Sequence, residues 1–271
     1  MNLCKGFKVG VLVALMAFVA APAVAQMEGE WGDAPEQAIA YPSLGIIGSF
    51  PTCQNVGPSG FVYHGPLCWA FFGPGCDFEM EGNAGNCPAF PPYNADECFA
   101  DGDAGLITPP GYDIVQVGAS LVVTPCTAAT GFIDQFCMPG VWGGNIDIQV
   151  TNNMPVDGVV NVLFDWDQNG AWGGQSQCPG GAMAPEHVLV DFLVPAGFAG
   201  PLSVLGPPNF LIGPNPGYIW ARFTISEQGV GQDWDGSASF EDGESEDYLI
   251  WVWDGVATLD ASWSSVKSLY R

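Results

Sequence analysis

The sequence predicts an all-β fold, an antiparallel β-sandwich of the jelly-roll or immunoglobulin-like kind with a long disulfide-rich loop region. Short segments rich in Val, Ile, Phe, Trp and Tyr alternate with a period of two and end at Gly, Pro or Asn. Helical periodicity is almost absent. Charged residues make up only 13% of the chain and hydrophobic residues 48%, which indicates a folded core and not an acidic disordered tail.

The first 25 residues are typical of a signal peptide. Lys5 and Lys8 precede the apolar run VGVLVALMAFVAA, and small residues at 23–25 suit signal peptidase, so we expect cleavage before Gln26. No later stretch approaches the roughly 20 apolar residues of a membrane helix. The sequence therefore predicts a secreted protein, extracellular or on the cell surface, without membrane insertion after cleavage.

The mature chain is strongly acidic. It carries three cations against 29 acids, a formal charge of 3 minus 29, or −26. Such a field repels nucleic acid and anionic membranes and attracts cations. Nucleic-acid binding is therefore excluded, while an extracellular glycan or a surface protein stays open as a partner.

Cysteines predict a covalently bridged loop region. The chain has nine cysteines, and Cys4 falls in the signal peptide, so eight remain. An even number in an exported chain indicates up to four disulfides, with on the order of 100 pairings open, and the absence of CxxC argues against zinc. These cysteines are Cys53, Cys68, Cys76, Cys87, Cys98, Cys126, Cys137 and Cys178.

The distribution of residues predicts one domain over 26–255 with a cysteine-rich insert at about 50–140. The insert is rich in Gly and Pro, whereas strand-like segments follow from about 144. We expect strands in 113–123, 145–152, 158–167, 187–194, 217–225 and 246–254. The tail 256–271 carries Trp263, Val266 and either Leu269 or Tyr270 on one helical face, which suits a short helix, and a docking role and a sorting signal both stay open.

The segment LFDWDQNGAWGG ends one of these strands with an acidic loop. Asp165, Asp167 and Asn169 with Gly170, followed by Ala171, match the first half of a calcium loop, with oxygen ligands at positions 1, 3, 5 and 7. Ser176 stands where the bidentate Glu of an EF-hand belongs. We expect a β-type Ca²⁺ loop that borrows an acid from elsewhere; a solvated acidic turn is the alternative.

A second acidic loop lies in the cysteine-rich insert. Asp77, Glu79 and Glu81 occupy alternate positions before Gly82, and three such carboxylates repel one another unless a cation or water screens them. A third cluster, NADECFADGDAG, has a weaker spacing. Both loops are candidate Ca²⁺ sites, and a charged loop facing water explains them equally well.

Arg222 is the only cation between the signal peptide and residue 266, and it lies inside a predicted strand. A buried guanidinium needs a carboxylate partner, because leaving the charge unpaired costs on the order of several kcal/mol. Glu244, Glu246 or Asp247 is the natural partner, with Arg222 and Glu244 taken as a structural ion pair. This pairing implies that the two segments lie side by side.

Known catalytic motifs are missing. The chain has no GxSxG, no HExxH and no phosphate loop, and His64 and His187 are its only histidines. We expect structural roles for both and no enzymatic activity, with a secreted polysaccharide-active hydrolase as the alternative. Trp172 and Trp234 flank Gly-rich acidic loops where a sugar could stack. We assign Trp220, Trp251 and Trp253 to the core.

Four motifs in order carry a family resemblance: WGDAP at 31–35, DWDQNGAW at 165–172, YIWARFTI at 218–225 and GESEDYLI at 243–250. With this pattern the chain resembles the bacterial GEVED domain, although Ser245 stands at the Val position of the closing motif. The resemblance implies a β-rich module of secreted or surface proteins, often beside adhesion domains, with no established catalytic residues. It also implies a cation shared between Asp33 and the closing acids Glu246 and Asp247.

Overall fold

A computed structural model describes residues 29–54, 59–76, 105–109 and 133–255, together with the backbone of 94–96, 112–117 and 120–125. The expected signal peptide and the tail 256–271 lie outside the described residues. The same holds for the acidic loop of Asp77, Glu79 and Glu81, for most of NADECFADGDAG, and for Cys87, Cys98 and Cys126. No statement about these segments follows from the structure.

The described residues form twenty β-strands and one 3₁₀ turn, Leu202–Leu205. The strands are β1 (Glu30–Trp31), β2 (Glu36–Tyr41), β3 (Ile46–Ser49), β4 (Val62–His64), β5 (Ala70–Phe72), β6 (Asn94–Asp96), β7 (Leu106–Thr108), β8 (Tyr112–Val117), β9 (Ser120–Pro125), β10 (Pro139–Gly140), β11 (Asp147–Asn152), β12 (Gly158–Phe164), β13 (Gln175–Gln177), β14 (Met183–Pro185), β15 (His187–Val194), β16 (Ala199–Pro201), β17 (Phe210–Leu211), β18 (Gly217–Ser226), β19 (Ala238–Phe240) and β20 (Gly243–Val252). The all-β prediction is confirmed for this part of the chain.

A four-stranded antiparallel sheet, in the order β15-β12-β18-β20, forms the centre of the fold. Its register places Phe164 opposite Ala221 and Arg222 opposite Asp247. One face carries Val160, Val162 and Phe164, in agreement with the alternation in the sequence, and these side chains belong to the largest apolar core. That core also contains residues of the sheet β16-β11-β5, so the two sheets share one apolar core.

The opposite face of the central sheet is also covered. Leu163, Trp220 and Leu249 point to this side and pack with Tyr41 and other residues of the hairpin β2–β3 and its flanks. Trp172 and Trp234 complete this second core from two loops. Because both faces are buried, polar side chains on the second face must find partners within the protein.

Two disulfide bonds lie between described cysteines, Cys68–Cys76 and Cys137–Cys178. Cys53 is disulfide-bonded as well. The Cys137–Cys178 bond joins the end of the cysteine-rich insert to the loop between β13 and β14, so it fastens the insert to the central half of the chain. Among the described residues no helix has the length and apolar character needed to cross a membrane.

Candidate metal centre and arginine cluster

The acidic loop begins where β12 ends. Asp165 follows Phe164 directly and is completely buried, and its Oδ2 accepts hydrogen bonds from the Tyr41 hydroxyl at 2.8 Å and from the Gly170 N–H at 2.9 Å. Gly170 has a φ of 85°, and a Cβ there would lie 2.7 Å from the Ile47 carbonyl oxygen. Only glycine fits this position, so the motif NG is required by the close contact between the loop and β3.

Glu186 completes a cluster of three carboxylates. The residue immediately precedes β15, and its carbonyl oxygen accepts a hydrogen bond from the Phe164 N–H at 2.9 Å, which places it beside the end of β12. Oxygen atoms of Asp165, Asp167 and Glu186 lie within 4.8 Å of one another. Asp165 and Glu186 are buried and Asp167 is exposed. Glu186 is therefore the acid from elsewhere in the chain that the fold brings to the two loop aspartates.

Burial and mutual repulsion perturb the two inner carboxylates of this cluster. Burial raises the pKa of Asp165 to about 7, although the hydrogen bond from Tyr41 opposes the shift. Burial also raises the pKa of Glu186 to about 8, and the negative charges of Asp165 and Asp167 add to this effect. The cluster thus holds charge unfavourably near neutral pH unless a cation neutralises it.

Asn169 and Ala171 shape the loop through short hydrogen bonds. Asn169 Nδ2 donates to Asp167 Oδ2 at 2.9 Å, and Asn169 Oδ1 accepts from the Ala171 N–H at 2.8 Å. The Asn169 N–H donates to both Asp165 Oδ1 and Asp167 Oδ1, each at 3.1 Å. These bonds hold Asp165 and Asp167 in one turn. The carboxylates of these two aspartates lie close to the carboxylate of Glu186.

Arg222 is the centre of a second buried polar cluster. Its Nε donates to Asp247 Oδ1 at 2.7 Å, and its Nη2 forms the ion pair with Asp247 Oδ2. Nη1 donates to the carbonyl oxygens of Pro51 at 2.7 Å and Gly236 at 2.8 Å. Both members of the ion pair are fully buried. Asp247, and not Glu244, is therefore the partner of Arg222 among the three acids that the sequence offered.

Glu244 has a different role from the ion pair expected for it. Its side chain is buried, and Oε2 accepts a hydrogen bond from the backbone N–H of Phe72 in β5. In the register of β18 and β20, Glu244 lies opposite Ile225, three residues along the strand from Arg222. The carboxylate therefore links β20 of the central sheet to β5.

The WGDAP segment packs directly against the ion pair. The N–H groups of Asp33 and Ala34 donate to Asp247 Oδ2 at 2.8 and 2.7 Å. A Cβ at Gly32 would lie 2.1 Å from Arg222 Nη2, so the close approach requires glycine. Both Asp247 oxygens thus receive donors from protein groups, so this carboxylate is fully engaged within the protein.

Other groupings of potential ligands give no second metal centre in the described ranges. The side chains of Asp33, Glu246 and Asp247 do not come close enough together to share one metal ion. A second group of three potential ligands does exist and consists of Cys68, Cys76 and Glu244. The two cysteines of that group are joined in a disulfide, so they offer no thiolate. The Asp165–Asp167–Glu186 cluster is the candidate metal centre.

The two histidines are bound inside the protein. His64 Nε2 lies 2.9 Å from Ser245 Oγ and Nδ1 lies 3.1 Å from the Asp242 carbonyl oxygen, and burial lowers its pKa to about 3. His187 Nε2 lies 2.9 Å from Asn161 Oδ1 and Nδ1 lies 3.2 Å from the Gln232 carbonyl oxygen. Both side chains are buried and fully engaged, as expected for structural residues.

The aromatic assignments from sequence require a correction. Trp172 and Trp234 are each only 6% exposed, because Trp172 lies against Phe50 and the Arg222 guanidinium, and Trp234 packs near His187. Both rings are therefore mostly covered by protein, although Trp234 borders a cleft beside His187. Conversely, Trp220 is in the core as predicted, whereas Trp251 and Trp253 are only half-buried.

Comparisons with known proteins return no similarity on which an assignment can rest. No protein-family model matches the chain, and neither a curated protein nor a solved structure matches it significantly. Functional inference therefore depends on the geometry. The three converging carboxylates can hold a hard cation, while the ring nitrogens of both histidines face protein partners and the Arg222 guanidinium is enclosed.

Proposed function

We propose that this chain is a secreted, non-enzymatic protein that acts in extracellular or cell-surface interactions and is stabilised by Ca²⁺ in its acidic loop. The observation that carries the proposal is the convergence of Asp165, Asp167 and Glu186 oxygens within 4.8 Å. Two of the three carboxylates are buried, and their raised pKa values reflect the cost of holding three negative charges at this point without a cation. A bound divalent cation relieves this repulsion.

The chemistry of the cluster fits calcium. Ca²⁺ takes hard oxygen ligands and tolerates irregular geometry, and extracellular modules bind it with dissociation constants of roughly 10⁻⁴ to 10⁻³ M. Asp165, Asp167 and Glu186 would hold the ion, and exposed Asp167 would leave its outer side accessible to water. A cation there would connect the end of β12 to the start of β15.

The proposal that the chain is a GEVED-like module rests on the roles of the four motifs. WGDAP and GESEDYLI supply Asp33, Ala34 and Asp247, YIWARFTI supplies Arg222, and DWDQNGAW supplies Trp172, whose ring centroid lies 4.4 Å from the Arg222 Cζ. Residues far apart in sequence thus meet at one ion pair. This shared role supports reading the four segments as one family signature.

A non-enzymatic role is supported by the state of the histidines. His64 is fully buried, and the ring nitrogens of His64 and His187 face partners within the protein. A cleft of about 330 Å³ does lie beside His187, Asp233 and Asp235, but its histidine is engaged. The disulfides suit an oxidising extracellular compartment, where a glycan or a surface protein is the expected partner.

Calcium titration of the Glu186→Gln variant tests the proposal. In the natural protein we expect calorimetric binding of one Ca²⁺ and, at ten times the dissociation constant, a stabilisation of about 1.4 kcal/mol. For a chain of this size that corresponds to a rise in Tm of roughly 3–6 °C. Glu186→Gln removes one charge from the cluster and should weaken calcium binding by about tenfold or more.

Glu227→Gln is the matched control. Glu227 also accepts two backbone N–H groups, from Glu241 and Asp242, but it belongs to no carboxylate cluster, so its replacement should leave the calcium response unchanged. A natural protein that binds no calcium, with a Tm indifferent to chelator, would remove the basis of the proposal.

A further inference from the structure

A groove of about 290 Å³ lies at the end of the central sheet, next to the candidate metal centre. Its walls come from the β2–β3 turn, the acidic loop and the ends of β18 and β20. Leu44, Gln168, Tyr218, Leu249 and Trp251 are among the residues that line it. The groove is distinct from the carboxylate cluster and from the cleft beside His187.

Two aromatic rings form a rigid corner of this groove. Tyr218 and Trp251 are direct cross-strand partners in β18 and β20, and their ring centroids lie 4.7 Å apart with planes inclined at 81°. Both side chains are half-buried, so part of each ring borders the groove. Because the rings stand on paired strands of the central sheet, their arrangement needs no ordering when a ligand arrives.

The electrostatics of the groove restrict the class of ligand. Its lining contains no Asp, Glu, Lys, Arg or His, although the chain has 29 acids. The overall negative field repels an anionic ligand, and a cationic ligand would find no counter-charge in the lining. An uncharged ligand with apolar faces and polar edges is complementary to this surface.

Gln168 provides the polar wall and ties the groove to the metal loop. Its Nε2 donates to the carbonyl oxygens of Tyr218 at 2.8 Å and Pro216 at 3.3 Å. Its Oε1 accepts no hydrogen bond from the described residues, so it is an acceptor for a ligand hydroxyl. Tyr41, at the base of the groove, donates its hydroxyl to Asp165 and accepts from the Trp220 N–H at 2.9 Å.

We propose that this groove binds a neutral carbohydrate, with a sugar ring against Tyr218 and Trp251 and its hydroxyls hydrogen-bonded to the Gln168 wall. Pyranose rings combine an apolar face with a polar edge, which matches an aromatic corner beside an amide. The perpendicular rings enclose one sugar unit, whereas an extended proline-rich segment needs a longer ridged surface. This inference rests on the proposed extracellular interaction role and names its ligand class.

Binding of neutral oligosaccharides to the full mature protein tests the inference. The probes are β-1,4-linked glucan, N-acetylglucosamine and α-linked glucan oligomers, measured by calorimetry and tryptophan fluorescence with calcium present. We expect one of them to bind at millimolar concentration or better. Trp251→Ala should weaken that binding by about tenfold or more, whereas Trp69→Ala, which removes a tryptophan that is 49% exposed outside the groove, should leave it unchanged.

Gln168→Asn keeps the test valid if Trp251→Ala fails to fold. Gln168 has a φ of 57°, a conformation that Asn tolerates, and the shorter amide cannot keep both its wall position and its bonds to β18. The variant should retain its Tm in calcium within a few degrees and lose about tenfold in affinity. Absence of binding to all three glycans, or unchanged binding by both variants, overturns the inference.

The same samples separate this inference from the proposed function. A protein whose Tm responds to calcium but that binds no neutral glycan contradicts the groove alone. One that binds glycan without any calcium response contradicts the metal centre alone. Binding of a polyproline peptide in place of any glycan also overturns the carbohydrate assignment.

Discussion

At the scale of single residues, Arg222 joins segments that are far apart in the sequence, since its side chain contacts residues 51–52, 172, 236 and 247. All three guanidinium nitrogens donate hydrogen bonds, to Asp247, to the Pro51 and Gly236 carbonyl oxygens and to Thr52 Oγ1. The Trp172 ring covers one face of the cation. A planar, forked donor suits this arrangement, whereas a lysine ammonium on a flexible stem does not.

Arg222→Lys should destabilise the protein although it keeps the charge. The ammonium can still pair with Asp247, but it cannot reach Pro51 O and Gly236 O as well, and each buried acceptor left without a donor costs about 1–3 kcal/mol. We expect the free energy of unfolding to fall by about 3 kcal/mol, measured by urea denaturation. A loss below about 1 kcal/mol would show that charge alone, and not the fork geometry, matters.

Ser245 in β20 is hydrogen-bonded on two sides by buried polar side chains. Its hydroxyl lies 2.9 Å from His64 Nε2 and 2.7 Å from Thr224 Oγ1. The imidazole also stacks on Phe240, with ring centroids 4.7 Å apart. Ser245 thus joins His64 in β4 to Thr224 in β18 through a row of buried hydrogen bonds.

The buried His64 should make the fold sensitive to acid. Burial lowers the pKa of His64 to about 3, below the value of about 6.5 in the unfolded chain, so only the unfolded state gains a proton between these values. The contribution of neutral, buried His64 to the free energy of unfolding is fully present above pH 6.5 and is lost as the pH falls toward 3. The stability difference between the natural protein and His64→Gln should therefore shrink by up to about 1.4 kcal/mol per pH unit below pH 6.

Denaturation curves between pH 7 and pH 4 measure this effect. Ser245→Val is the control, because it removes the hydrogen-bond partner but leaves the titrating imidazole in place, so its acid dependence should follow that of the natural protein. If His64→Gln and the natural protein lose stability in parallel with falling pH, another group causes the acid sensitivity.

At the scale of elements, the long strands were the predictable part, although the single strand expected at 113–123 is instead two antiparallel strands, β8 and β9. The segment 187–194 coincides with β15, and 217–225 misses only the last residue of β18, because β-branched and aromatic residues run continuously until Gly, Pro or Asn interrupts them. The face assignment of 158–167 also agrees with the structure, since Val160, Val162 and Phe164 enter one core and Leu163 the other. A period of two suffices for that inference.

Short strands and the partners of the site were not predictable in the same way. Strands β10 and β17 have two residues each, and their pairing depends on segments about seventy positions apart. Glu186 likewise has no local signal, because only the register of β12 and β15 brings it to Asp165. Had that register been known, the acid before His187 would have been the nearest candidate.

The burial of individual tryptophan side chains could not be predicted from composition either. Trp172 and Trp234 lie in Gly-rich loops, which usually indicates exposure, yet the loops fold over the second face of the central sheet and close its core. Trp251 belongs to a strand but sits at its end, where the sheet borders the groove. Exposure in such cases is decided by what covers the sheet, which is tertiary information.

At the scale of the whole molecule, the large excess of negative charge is the main electrostatic property of the protein. Residues 26–271 have a formal charge of 3 minus 29, or −26, and Arg222, one of the three cations in this range, is buried against Asp247. Lys267 and Arg271 lie outside the described residues. Self-repulsion of this size opposes the compact state, and it is screened by salt because the Debye length falls from roughly 30 Å at 0.01 M to about 10 Å at 0.1 M.

Sodium and calcium should therefore stabilise the protein by different routes. Added NaCl screens all exposed carboxylates. We therefore expect Tm to rise gradually as the NaCl concentration increases from about 0.01 to about 0.1 M, and then to level off. Calcium at matched ionic strength should add a saturable rise at millimolar concentration, because it also neutralises Asp165, Asp167 and Glu186 together. Glu186→Gln distinguishes the two: it should keep the sodium response and lose most of the calcium increment in scanning calorimetry. If calcium and sodium give equal shifts at equal ionic strength, the acids act only as a diffuse negative field and the loop holds no specific ion.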